Sequence, residues 1–141
     1  MIAADDRERG GGVMTAPAAI LVLALVLCVG LGVDGVRKAQ LLAAVTASAE
    51  EAARAGGQEL DTVALRRGLV ELDEDRARAA ALNHLAESGV TGAITIVDGG
   101  VRVRATGTRP AVFLGLIGIG ELTAEGFGEA RPVVIPSGDE G

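Results

Sequence analysis

Tryptophan and tyrosine are missing from this 141-residue chain, and phenylalanine occurs only at Phe113 and Phe127. A core without large rings must be built from Ala, Val, Leu and Ile, and each Ala buries little area. The expected domain is therefore only modestly stable and suited to leaning on a membrane or a partner. One cysteine, Cys28, excludes an intrachain disulfide and a cysteine-rich metal site. One histidine, His84, leaves any metal chemistry to carboxylates alone. Lysine is almost absent (Lys38) and the net charge is −6. Phosphate binding needs clustered Lys and Arg, so no nucleic-acid partner is expected. The spread-out acid reads as a solubilising surface.

Charge is also absent from one long stretch. Val13 to Val33, VMTAPAAILVLALVLCVGLGV, is 21 residues without an ionisable group other than Cys28. About 20 residues at 1.5 Å rise cross the hydrocarbon layer. Ten of the residues from Ile20 to Val33 are Leu, Ile or Val, favouring insertion by roughly 3–6 kcal/mol. A buried core helix would show a polar stripe, and this segment has none. The tail MIAADDRERGGG is net acidic, unlike the basic start of a cleaved secretory signal. Leu25-Val26-Leu27-Cys28 is a poor lipobox, because Leu27 is not small and Cys28 lies inside the apolar run. An uncleaved anchor is expected, with the lipid bilayer as its first partner. Arg7 and Arg9 on one side balance Arg37 and Lys38 on the other, so charge does not orient it.

Gly30-x-Gly32-x-x-Gly35, followed by Glu50 and Glu51, has the spacing of a dinucleotide fingerprint. The preceding apolar run is far too long for a strand and no second βαβ unit follows, so that reading fails. Glycines in a membrane helix more often permit close helix contact, and Gly30, Gly32 and Gly35 are candidates for it. No cofactor and no small-molecule substrate are expected.

Beyond Asp34 the sequence is rich in helix formers and stops at Gly56-Gly57. The simplest picture is one helix from about Pro17, in its first turn, to Ala55. Ala39, Ala43 and Ala47 recur at four-residue spacing, which suits either a closely packed neighbour or mere helix propensity. Asp61 caps a short helix over TVALRR, and a further helix is expected from Asp73 to Ser88. Glu71-x-Asp73-x-Asp75 is no calcium loop, since Arg76 and Leu82 stand where Gly and Glu are required. His84 and Ser88 are one turn apart, but no nucleophile elbow or oxyanion loop accompanies them. His84 is expected at the surface.

The last third changes period. Ala93–Val97 and Val101–Thr106 read as strands joined by an Asp98-Gly99-Gly100 turn, with Arg102 and Arg104 on one face and Val101 and Val103 on the other. Arg109-Pro110 is expected to break the second strand. AVFLGLIGIG then fits a buried helical turn, or an apolar loop touching lipid or a partner. Glu121 to Arg131 reads as a third strand, weakened by Gly126-Phe127-Gly128.

The expected class is α+β: a long N-terminal membrane-spanning helix, then a small domain of two short helices and a roughly three-stranded antiparallel sheet. The expected divisions are a charged tail (1–12), the span (13–34), a helical stalk (35–57), the exported domain (58–132) and a polar tail (133–141).

Several segments together resemble a known family. They are Arg9-Gly10 before the apolar run, Gly30-Leu31-Gly32-Val33-Asp34-Gly35, Ala52-Ala53-Arg54-Ala55-Gly56 and PAVFLGLIGIGELTAEGFGEARP. Over nearly its full length the chain is similar to the TadE/TadG-like proteins of bacterial Flp (tight-adherence) pilus assembly. Val33-Asp34-Gly35 and the F-L-G-L-I-G-I-G run are the most specific parts. With Arg so dominant over Lys, the short forms from GC-rich bacteria are most similar. The resemblance implies a non-enzymatic, pseudopilin-like or accessory subunit of the inner membrane, associating with itself or with other apparatus subunits. Leader processing would fall after Gly10 or Gly12. Pilin-like subunits carry a glutamate at the fifth mature position, where this chain would place Thr15 or Pro17. The implied form is therefore an uncleaved, TadG-like anchor. The rival expectation is a membrane-tethered ligand-binding or sensor module.

Overall fold

The structure, a computed structural model, describes residues 11–132. The expected tails, apart from Gly11 and Gly12, lie outside the described residues, as does Gly10. Gly12 falls in the first turn of helix α1, Gly11–Gly57. Helix α2 spans Thr62–Arg66 and α3 spans Glu74–Glu87. Strands β1 (Thr91–Val97), β2 (Gly100–Pro110) and β3 (Glu121–Ala130) form an antiparallel sheet in that order. The fold is α+β.

Helix α1 begins six residues before Pro17, so Pro17 lies inside it rather than in its first turn. A proline there removes one backbone bond, which does not outweigh those made by an uninterrupted run of apolar helical residues. Caps set the other helices. The Asp61 carboxylate accepts from the N–H groups of Val63 (2.7 Å) and Ala64 (3.2 Å), and Asp73 accepts from Arg76 N–H (3.1 Å). Each satisfies donors that the first turn leaves orphaned.

The β1–β2 hairpin closes at the Val97–Gly100 pair, leaving Asp98 and Gly99 as a two-residue loop. Both adopt positive φ (53° and 71°), as a type I′ turn requires. Strand β2 does not break at Arg109-Pro110; it runs to Pro110, opposite Glu121. Strand β1 begins opposite Thr106, so residues 107–110 pair with no strand on that side among the described residues. A proline is tolerated at such an edge.

The core lies between the sheet and a layer made by α1 and α3. Leu41, Val45, Ala49, Ala52 and Ala53 of α1 meet Val101, Val103, Ala105, Leu122 and Ala124 of the sheet, with Ala77, Ala81 and Leu85 of α3. Small residues let the backbones approach. A Cβ on Gly126 would lie 2.6 Å from Thr46 Cα, and one on Gly128 would overlap the Ala49 carbonyl. Gly126 and Gly128 therefore do not weaken β3; they are the groove into which α1 settles.

The expected Ala39, Ala43, Ala47 stripe is not the face that packs within the chain. All three are exposed. The buried stripe is offset by two residues, or about 200° around the helix, because Leu41 and Val45 bring more apolar area to the sheet than alanines would.

Candidate functional site

From Thr15 to Val29 every side chain of α1 is exposed, including Ile20, Leu21, Leu23, Leu25 and Leu27. The apolar half of the helix is not tucked into its own domain. It is long and apolar enough to cross a membrane, and it is the one such helix among the described residues. Cys28 is free and exposed on it.

Where this half ends, the chain makes its most unusual contact. Asp34 is 1% exposed and is the only buried charged residue among those described. Its Oδ1 accepts from Val112 N–H (3.0 Å), and its Oδ2 accepts from Phe113 N–H (2.9 Å) and Leu114 N–H (2.7 Å). Three consecutive amides converging on one carboxylate form a short anion-binding nest. Bonds to a charged acceptor are stronger than neutral ones. They open a single 3₁₀ turn, Leu114–Ile117, which ends on Gly118 at φ 92°. The β2–β3 connection is thereby clasped to the helix 78 residues earlier in the chain.

The clasp places Phe113 on Gly30. A Cβ at Gly30 would stand 2.6 Å from the Phe113 ring. Of the three glycines expected to allow close packing, Gly30 does so within the chain, while Gly32 and Gly35 have open space where a Cβ would be. Beside this contact an apolar cleft of about 270 Å³ opens between Val26, Leu27 and Leu31 of the helix and Phe113, Leu116 and Ile117 of the loop. The 3₁₀ turn buries none of its own residues. Of the two expectations for this run, the helical turn forms but is not buried, which leaves its apolar side chains on the surface. One turn past Asp34, Arg37 Nε is buried with no hydrogen-bond partner among the described residues.

The other candidates carry less. His84 Nε2 lies 3.2 Å from Glu51 Oε2, joining α3 to α1. Glu51 is 33 residues away, so sequence spacing could not show it. Ser88 is bound through its backbone N–H to His84 O, and no hydrogen bond links its hydroxyl to the ring among the described residues. On the outer face of the sheet, Arg104 stands over the Phe127 ring at 5.2 Å beside an open groove. Arg102 pairs there with Glu129 at 3.3 Å. No group of three His, Cys, Asp or Glu side chains among the described residues has the geometry to hold a metal.

Compared with protein-family models, curated proteins and solved structures, the chain matches none.

Proposed function

We propose that this chain is a single-pass subunit of the bacterial inner membrane, structural rather than enzymatic, acting in assembly of a Flp/Tad-type pilus or a related secretion apparatus. The observation that carries the reading is the division of one unbroken helix. Residues 15–29 present aliphatic side chains outward on all sides, while Leu41, Val45, Ala49, Ala52 and Ala53 form the spine of a folded domain. A rod of this kind couples a bilayer to a domain without a flexible joint. The two segments most specific to the TadE/TadG-like resemblance, Val33-Asp34-Gly35 and the F-L-G-L-I-G-I-G run, touch each other through Asp34. Their pairing gives both segments a shared role at the base of the domain. With the short N-terminal tail inside, the domain stands on the extracytoplasmic side.

The test is isolation of the full chain from membranes in mild detergent. Co-purification with a secretion ATPase or polytopic platform subunits supports the assignment. The intact mass reports whether Met1 is retained, as an uncleaved anchor requires. Recovery as a monodisperse protein in detergent-free buffer would refute the anchor and the pilus role together.

A membrane-tethered sensor is the second reading, favoured by the groove beside Arg102, Arg104 and Phe127 on the open sheet face. The neighbouring genes separate the two: a secretion ATPase and platform proteins in one case, a kinase or transporter in the other.

A further inference from the structure

We infer that the β2–β3 loop, residues 111–120, is a second membrane element that sits in the outer leaflet beside the helix, with lipid acyl chains as its partner. This rests on the reading of α1 as a membrane span. Geometry then leaves the loop little choice. Its apolar side chains lie against Val26, Leu27, Gly30 and Leu31, inside the uncharged run. Val26 is seven residues before Val33, so the loop reaches roughly 10 Å below the end of that run at 1.5 Å per residue. Keeping the loop in water would move the lipid boundary back to Val26. Only 14 residues from Val13 would then remain, about 21 Å of helix against a hydrocarbon layer of about 30 Å.

The loop is built for such a place. Ala111 to Gly120 contains no polar side chain, and Leu116 and Ile117 are 80% and 65% exposed, with nothing among the described residues to cover them. Irregular backbone is costly in lipid unless its polar groups are bonded. Here Val112, Phe113 and Leu114 donate to Asp34. Ala111 donates to Gly120 O, Leu116 to Phe113 O, Gly118 to Gly115 O and Ile119 to Leu114 O. Charges resume on both elements just past this contact: Asp34, Arg37 and Lys38 on the helix, Arg109 and Glu121 at the foot of the loop. One plane therefore serves as the boundary for both.

The chain has no native tryptophan, so single-Trp variants report depth directly. Full-length L116W, I117W, V29W and V63W would be reconstituted in phosphatidylcholine–phosphatidylglycerol vesicles with brominated acyl chains, with far-UV circular dichroism confirming the fold. The expected result is blue-shifted emission from L116W and I117W, quenched to an extent comparable with V29W, while V63W on α2 is unquenched. Unquenched L116W and I117W beside a quenched V29W would overturn the loop insertion alone. Blue-shifted but unquenched emission from them would overturn it too, in favour of a second copy covering the loop. An unquenched V29W would instead refute the membrane span itself.

Discussion

Gly128→Ala should destabilise the domain more than its one added methyl group suggests. The new Cβ would overlap the carbonyl of Ala49 and lie 2.6 Å from Glu50 N. These are backbone atoms of α1, so no rotamer change relieves the overlap. Ordinary contact distance is about 3.5–4.0 Å, and the helix must therefore move off the sheet by roughly 1 Å. A gap of that size forfeits about a quarter to a half of each dispersion contact along it. It would run beside Val45, Ala49, Ala52 and Ala53, which are among the most buried residues of the core. Overpacking costs about 1–3 kcal/mol, and an overlap with backbone belongs at the upper end. Replacing Gly by Ala also restricts the unfolded chain, which returns about 0.4–1 kcal/mol. The net loss is roughly 2 kcal/mol, or a fall in Tm of about 8–16 °C for a domain of this size. Thermal unfolding of the full chain in detergent micelles, followed by far-UV circular dichroism, measures it. Gly120→Ala is the control, because nothing lies within 4 Å of its Cβ position, and its Tm should match or slightly exceed wild type. If Gly128→Ala melts with Gly120→Ala, the close helix–sheet contact does not hold the fold.

Leu85, 1% exposed and among the largest fully buried side chains, should cost about 2–5 kcal/mol when changed to Ala, again read as a fall in Tm. Asp34→Ala should speed amide hydrogen exchange at Val112, Phe113 and Leu114 while leaving the β1–β2 hairpin unchanged; equal protection at all three amides would show that the clasp does not hold the loop. The hydrogen bond from Arg131 and then the charge of Arg102 hold Glu129 below the usual carboxylate range. Its folded pKa is depressed, so the stability it contributes is present above the ordinary carboxylate range and fades as pH falls through the folded value. Solvent screening keeps the effect small at this exposed site, so Tm should fall slightly more steeply on acidification in wild type than in Glu129→Gln.

Local chemistry made some of this structure legible and left the rest hidden. The turn read at Asp98-Gly99-Gly100 and the Asp61 and Asp73 caps are decided within a few residues and fold at their sequence signals, except that Gly100 pairs with Val97 as the first residue of β2. The phase of α1 was not readable in the same way. Ala39, Ala43 and Ala47 repeat at helical spacing, but so do Leu41, Val45 and Ala49, and only the shape of the sheet decides between them. Pro110 looks like a strand breaker until β1 is seen to begin only opposite Thr106. The pairing of Asp34 with the loop joins positions about 80 residues apart, and no periodicity encodes it.

The one available hint was a conflict of preferences. A lone carboxylate directly after an uncharged run, with a helix that continues past it, would be expensive at a lipid boundary if left unpaired. Water could hydrate it, but then the side chain would be exposed rather than 1% accessible. The charge of Arg37, one turn later, acts on it, but no hydrogen bond joins the two among the described residues. What satisfies Asp34 is a set of backbone amides that would themselves be costly to leave unbonded in the same place. Each half of the contact removes the other's penalty. That reciprocity explains how an irregular apolar loop and a buried acid can share a site that neither could occupy alone.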